Sequence, residues 1–142
     1  MNVFEEYINK INALILKNQK VLKLDNLNNF KGIVVESPPV EFDFDLSCNA
    51  GLVLGKINKI DPKELAKRIK DLILKDLKDF EKIEIAGPGF LNLKFTNKSL
   101  ISNINQILEN KKSYGKKSSN NNYNIEFVSA NPTGPMHVGH CR

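Results

Sequence analysis

The last eighteen residues of the chain place the tightest limits on its fold. Residues 125–128 form a short apolar run with an aromatic and β-branched side chains, which is typical of a buried strand. Residues 129–135 contain two prolines, which remove backbone donors and fix φ, and so predict a stiff loop. Residues 136–142 then have helical character. A strand, a stiff loop and a helix start predict the ligand-binding edge of an α/β unit.

Both histidines of the chain lie in this helix start. His137 and His140 are three residues apart, so a helix projects them from one face. Gly139 between them leaves room for a flat ligand on the backbone. Two imidazoles beside a positive helix end suit a developing phosphate charge, and the plain alternative is a surface turn with two solvated histidines. Because Cys48 and Cys141 lie on distant segments, we predict no protein-bound metal.

The string EFVSANPTGPMHVGH, residues 126–140, resembles the first signature of the class I aminoacyl-tRNA synthetases. It is most similar to the bacterial arginyl-tRNA synthetase family, in which Ser-Ala-Asn-Pro-Thr-Gly-Pro precedes a His-x-Gly-His tetrapeptide. These fifteen residues are far more specific than the tetrapeptide alone, and the resemblance extends more loosely through the whole chain. It implies an arginine–tRNA ligase, which joins L-arginine to arginine tRNA with consumption of ATP in protein biosynthesis.

The resemblance also implies a role for each matching residue of the signature. His137 and His140 would stabilise charge on the α-phosphate of ATP, and Gly139 would lie under the adenine. Mg²⁺ would accompany ATP through its phosphates. The residues that would hold or shape the arginine site are Glu126, Ser129 and Asn131.

The chain ends at Arg142, about a turn into the predicted helix, before the further strands that a nucleotide-binding sheet needs. The second class I signature, a Lys-Met-Ser-Lys-Ser loop, is absent from it. We therefore expect the N-terminal fragment of a longer enzyme, inactive alone. The alternatives are a stand-alone RNA-binding module derived from the N-terminal domain and a small nucleotidyltransferase that also uses His-x-Gly-His.

Composition is that of a soluble globular protein, with 41% hydrophobic and 26% charged residues. The net charge of +5 comes mostly from lysine, and it permits binding to a polyanion without requiring it. Two cysteines without a disulfide framework indicate a reducing compartment, and the charged N-terminus is neither a signal peptide nor a membrane span. We expect a cytoplasmic, monomeric protein that does not bind membranes.

Hydrophobic periodicity predicts an α+β domain over residues 1–112, with a small, mostly antiparallel sheet and about four helices. Helices are predicted at residues 3–17, 47–56, 62–77 and 99–111, and strands at 32–36, 40–46, 83–86 and 90–95. Residues 113–122 are polar and rich in Gly, Ser and Asn, which predicts a flexible linker. By the resemblance, residues 123–142 would begin a truncated Rossmann-like catalytic domain.

Local signals refine this outline at several positions. Asp61, followed by proline, predicts an N-cap. Residues 47–56 would form a helix capped by Asp45 or Ser47, with Gly51 and Gly55 as small residues for close helix packing. Asp43 and Asp45 alternate with apolar residues, so we interpret them as the solvated face of a strand rather than a catalytic pair.

The strand at residues 90–95 carries the candidate RNA contacts. Its alternation places Phe90, Asn92 and Lys94 on one face. An aromatic ring stacks on an unpaired base, an amide reads a base edge and a lysine meets phosphate; an ordinary amphipathic strand is the alternative. The string AGPGFLNL, residues 86–93, resembles the N-terminal domain of the arginyl family, in which an aromatic-x-Asn contacts the D-loop of tRNA.

Overall fold

The computed structural model describes residues 2–26, 30–116 and 121–125. The helices are α1 (Val3–Lys17), α2 (Gln19–Leu22), α3 (Ala50–Asn58), α4 (Pro62–Asp76) and α5 (Asn97–Asn110). The strands are β1 (Val35–Glu36), β2 (Leu46–Cys48), β3 (Phe80–Ala86) and β4 (Phe90–Phe95). Short 3₁₀ turns lie at Phe30–Gly32 and Lys111–Ser113.

The four strands form one antiparallel sheet in the order β1-β2-β4-β3. Strand β4 is therefore interior, with Asn92 opposite Ser47 of β2 on one side and opposite Glu84 of β3 on the other. Helices and a small antiparallel sheet confirm the predicted α+β class.

The predicted helix starts rest on side-chain caps. Asn2 accepts a hydrogen bond from the Glu5 amide at 2.8 Å, and Asp61 accepts one from the Glu64 amide at 2.9 Å. Because Pro62 has no N–H to satisfy, it fits the first position of α4. The predicted helices at residues 3–17, 62–77 and 99–111 agree with α1, α4 and α5 to within two residues.

The core fills the space between the sheet and helices α1, α3 and α4. Its buried hydrophobic residues run from Tyr7 to Phe95, so the described part closes its core within that span. Tyr7, Phe80 and Phe95 form an aromatic cluster with ring centroids 4.9–5.2 Å apart. Burial and the nearby Asp79 raise the pKa of Tyr7 to about 12, so its hydroxyl remains protonated at neutral pH.

The strand predicted at residues 40–46 is wrong. Val40 is 99% exposed, and regular pairing begins only at Leu46. The alternating pattern has another cause, because Asp45 accepts a hydrogen bond from the Phe95 amide at 2.7 Å and Asp43 forms an ion pair with Lys94. The two carboxylates fasten an irregular segment to β4 instead of lining the open face of a strand.

The first predicted strand is shorter than residues 32–36. Gly32 belongs to a 3₁₀ turn, and the Val34 amide donates to the Asn49 side chain at 2.8 Å rather than to a neighbouring strand. The helix predicted at residues 47–56 begins instead at Ala50, because Ser47 pairs with Asn92 in the sheet. Capping by Asp45 or Ser47 is therefore wrong as well.

Close packing at Gly51 and Gly55 is confirmed. A Cβ atom on Gly51 would lie 2.6 Å from the Ala66 Cβ and 2.7 Å from the Gly89 carbonyl oxygen. A Cβ atom on Gly55 would lie 2.8 Å from the Pro62 Cα. Helix α3 can therefore approach α4 and the β3–β4 turn only without side chains at these positions.

We expect Gly51→Ala to lower the free energy of unfolding by about 1–3 kcal/mol, because overpacking outweighs the roughly 1 kcal/mol that alanine gains in a helix interior. Gly32→Ala is the matched control, since its Cβ would lie 3.5 Å from Val53, an ordinary contact. Urea unfolding of the 142-residue chain measures both. Equal stability of the two variants would contradict the packing argument.

Candidate nucleic-acid interface

The turn between β3 and β4 positions the predicted contact residues. Gly87 and Gly89 have φ of +51° and +120°, which glycine adopts without strain. A Cβ atom on Gly89 would lie 2.8 Å from the Pro62 carbonyl oxygen, so the turn is seated against the start of α4. Phe90, the first residue of β4, follows directly from this fixed point.

The outer face of the sheet forms a cavity of about 340 Å³ beside that turn. Its floor contains Asn92 of β4 and Ser47 of β2. Its walls are formed by the segment after β1 and by the β3–β4 turn: Glu36, Ser37, Pro38, Pro39, Phe42, Ala86, Gly87, Pro88 and Phe90. We call this cavity the Asn92 notch.

Asn92 is far more enclosed than a solvated strand residue. It is 5% exposed, whereas Phe90 beside it is half-buried. Among the residues that the structure describes, the Asn92 side chain makes no hydrogen bond, and it lines the notch. Its polar atoms do not belong to the fully buried, unpartnered ones, so the amide leaves a donor and an acceptor available to a ligand.

Lys94 does not share this enclosure. Its ammonium pairs with the exposed Asp43, and the hydrogen bond between them lowers the pKa of the Asp43 carboxyl and raises the pKa of Lys94. Both groups therefore stay charged at neutral pH. The structure confirms that Phe90, Asn92 and Lys94 lie on one side of β4 but separates their environments, with the lysine engaged by a carboxylate.

Other charges surround the notch. Lys82 pairs with Glu84 at 2.7 Å, and the Lys82 ammonium also lies 5.2 Å from the Phe44 ring centre. On the far side of the β3–β4 turn, Lys63 and Lys67 of α4 line a shallow depression that also contains Gly87. The lysine-bearing side of α4 thus borders the turn that forms one wall of the notch.

The walls contributed by residues 37–42 are the part of this site that sequence reasoning missed. Pro38 and Pro39 follow the strand predicted at residues 32–36, and both line the notch. Phe42 lies opposite the turn and is 46% exposed. Two consecutive prolines followed by an aromatic residue were the available signal, because such a segment is stiff and cannot join a sheet.

The signature residues are not part of this geometry. Glu126, Ser129, Asn131, His137, Gly139 and His140 lie outside the described residues. Within residues 2–26, 30–116 and 121–125, no group of three or more His, Cys, Asp or Glu side chains is arranged to hold a metal ion. In the same ranges no helix is long and apolar enough to cross a membrane.

Comparison with protein families gives a match over residues 5–95 to the arginyl tRNA synthetase N terminal domain. The arginine–tRNA ligase of Pelagibacter ubique is 44% identical over all of this chain and 25% of its own length. The arginine–tRNA ligase of Bartonella henselae is 39% identical over all of this chain and 24% of its own length. The arginine–tRNA ligase of Rickettsia bellii is 42% identical over 76% of this chain and 19% of its own length. The chain spans about a quarter of the length of these relatives.

Among solved structures, the arginyl-tRNA synthetase from Plasmodium falciparum matches 75% of this chain and 19% of its own, with a TM-score of 0.53. Sequence identity over that match is 15%, so the match concerns the fold alone.

Replacing Asn92 by leucine removes an amide that makes no hydrogen bond within the described part of the domain. We expect Asn92→Leu to change the free energy of unfolding by less than about 1 kcal/mol. The reverse exchange at the adjacent position, Leu93→Asn, puts an amide into the core and should lower it by about 3 kcal/mol. Urea unfolding measures both, and a large loss of stability in Asn92→Leu would show that this amide supports the fold.

Proposed function

The chain belongs to the arginyl-tRNA synthetase family, and from that membership we propose that it is the N-terminal part of an arginine–tRNA ligase, where it binds the D-loop of arginine tRNA. The observation that carries the tRNA role is the unpartnered, 5% exposed amide of Asn92 at the floor of a notch with an aromatic wall. A polar group enclosed in this way suits a partner that brings its own donor and acceptor.

An unpaired base has the chemistry that the Asn92 notch would recognise. Its flat face stacks on an aromatic ring with about 1–3 kcal/mol per base, and Phe90 and Phe42 supply rings at the rim. Pro38 and Pro39 add rigid apolar surface that loses little entropy on binding. The Asn92 amide then meets the polar edge of the base with one donor and one acceptor.

Phosphate contacts fall to lysines around the notch. Lys94 is the phosphate contact predicted from the sequence, and it can bind a phosphate only after its ion pair with Asp43 breaks. Lys63 and Lys67, beside the turn, are further candidates. Because such contacts release counterions from the nucleic acid, binding should weaken as salt is raised.

We assign the chemistry of the ligase to the signature beyond the described core. The arginine carboxylate would attack the α-phosphate of ATP, which is accompanied by Mg²⁺, to form the adenylate and release pyrophosphate. The tRNA ribose hydroxyl would then attack the adenylate carbonyl carbon and release AMP. His137 and His140 would stabilise charge at the α-phosphate, with Gly139 under the adenine. The substrate carboxylate is the nucleophile, so the protein contributes position and electrostatics. Glu126, Ser129 and Asn131 would form the arginine pocket.

The domain organisation follows from the same proposal. Residues 1–112 form the tRNA-binding domain, residues 113–122 a linker, and residues 123–142 the first strand and loop of a Rossmann-like catalytic domain. Such an enzyme would act as a monomer in the cytoplasm, where its tRNA is found. Residues 1–142 alone hold half of the catalytic site and are expected to be inactive.

Titration of the 142-residue chain with arginine tRNA and with a second tRNA tests the notch. We expect Asn92→Ala to reduce the preference for arginine tRNA by about 1–3 kcal/mol, because the amide reads a base edge. Phe90→Ala should weaken binding of arginine tRNA by a similar amount through lost stacking. If Asn92→Ala left the preference for arginine tRNA over the second tRNA unchanged, the notch would be an ordinary surface of the sheet rather than a base-reading site.

Charge variants serve as controls in the same titration. Lys63→Ala, Lys67→Ala and Lys94→Ala should weaken binding of both tRNAs alike and make it less dependent on salt. Asp43→Asn should strengthen binding of both, since it frees Lys94. Opposite changes for the two tRNAs would mean that these lysines read sequence rather than phosphate.

The catalytic assignment is tested in the full-length enzyme that contains this chain. His140→Ala should lower arginine-dependent ATP–pyrophosphate exchange by about 10²–10³-fold, because its donor acts on charge that develops in the transition state. The dissociation constant of arginine should stay within a fewfold of the parent. Exchange at the parental rate would refute the role of His140.

A further inference from the structure

Helix α5 turns its polar side toward the domain and its aliphatic side toward solvent. Ser99 is its one buried residue and Asn103 is half-buried. Its aliphatic side chains point outward, with Ile101 59% and Leu108 63% exposed. An amphipathic helix ordinarily buries its apolar side against the core, so the core of this domain does not account for these residues.

The polar side of α5 forms its attachment to the domain. The Ser99 hydroxyl lies 2.9 Å from that of Thr96 and donates to Asp79 at 3.4 Å. Ser102, Asn103 and Gln106 continue this side along a cleft shared with α1. The helix is thus held at its first turn, and the rest of its polar side faces that cleft.

The exposed aliphatic residues form a single face. At 3.6 residues per turn they sweep roughly 120° of the helix, centred roughly 140° from Ser99. They are Leu100, Ile101, Ile104, Ile107 and Leu108, which together we call the outer face of α5. It contains no charged residue, and the charged residues Lys98 and Glu109 lie together about 60–80° beyond its Ile101 edge. A continuous aliphatic surface depleted of charge is the composition of the core of a protein interface.

We propose that the outer face of α5 docks against the part of the same polypeptide that follows residue 125, namely the catalytic domain of the ligase. This inference rests on the proposed function. The relatives carry about three-quarters of their length outside the part that this chain matches. Among the described elements, helix α5 is the last long one before that part. The outer face therefore belongs to the helix that lies nearest in sequence to the next domain.

A cysteine placed on the outer face reports its coverage. Ile104→Cys lies at the centre of the face, and Glu109→Cys, exposed on another side of the same helix, is the matched control. Each is made in the 142-residue chain, whose core closes between Tyr7 and Phe95, and in a full-length chimera. In the chimera, residues 1–142 replace the matching quarter of the Pelagibacter ubique ligase. Peptide mapping after maleimide labelling gives the rate at each position.

We expect labelling at position 104 to be roughly tenfold slower or more in the chimera than in the 142-residue chain, with position 109 changing less than about twofold. Equal rates at position 104 would overturn the docking proposal. A 142-residue chain that sediments as a dimer, with position 104 already protected, would overturn it in favour of a second copy. Aminoacylation by the chimera is measured in parallel: its loss counts against the proposed function, while the labelling rates decide the docking.

Discussion

The structure depends on the close approach that Gly51 permits between α3, α4 and the β3–β4 turn. At this point the Ala66 Cβ and the Gly89 carbonyl oxygen occupy the space that a side chain on α3 would need. The contact fixes the turn, and the turn fixes where β4 begins. Phe90 and Asn92 are therefore positioned by a helix that contributes no side chain to the notch. Packing on the buried side of the sheet sets the geometry on its exposed side.

Sequence patterns predicted the elements whose causes are local. The period of α1, the cap at Asp61 and the alternation in β4 each depend on residues within a few positions of one another, and all three are confirmed. The strand predicted at residues 40–46 was wrong because the alternation of apolar and acidic residues there reflects tertiary contacts. Asp43 and Asp45 bind Lys94 and the Phe95 amide, about fifty positions away, and no local rule separates such anchors from the polar side of a strand.

Sequence reasoning found the β4 residues of the candidate site but neither its walls at residues 37–42 nor its depth. Alternation alone placed Phe90, Asn92 and Lys94 together. Enclosure of Asn92 and pairing of Lys94 both come from the segment that follows β1, which a single sequence does not place in space. Helix α5 gives a second example. Periodicity defines the polar and apolar faces of a helix, but it does not say which face contacts the rest of the domain. In α5 the polar face does so, through the hydrogen bond from Ser99 to Asp79.

The interior place of β4 has a consequence for discrimination. Its backbone is bonded to β2 on one side and β3 on the other, so the main chain that carries Asn92 has no freedom to follow a ligand. In the proposed role, binding there would require little ordering of the protein, and selectivity would come from rigidity. A base with the wrong edge would not be accommodated by a shift of the strand, and it would leave two polar groups facing each other unpaired. A flexible loop with the same amide would tolerate the error.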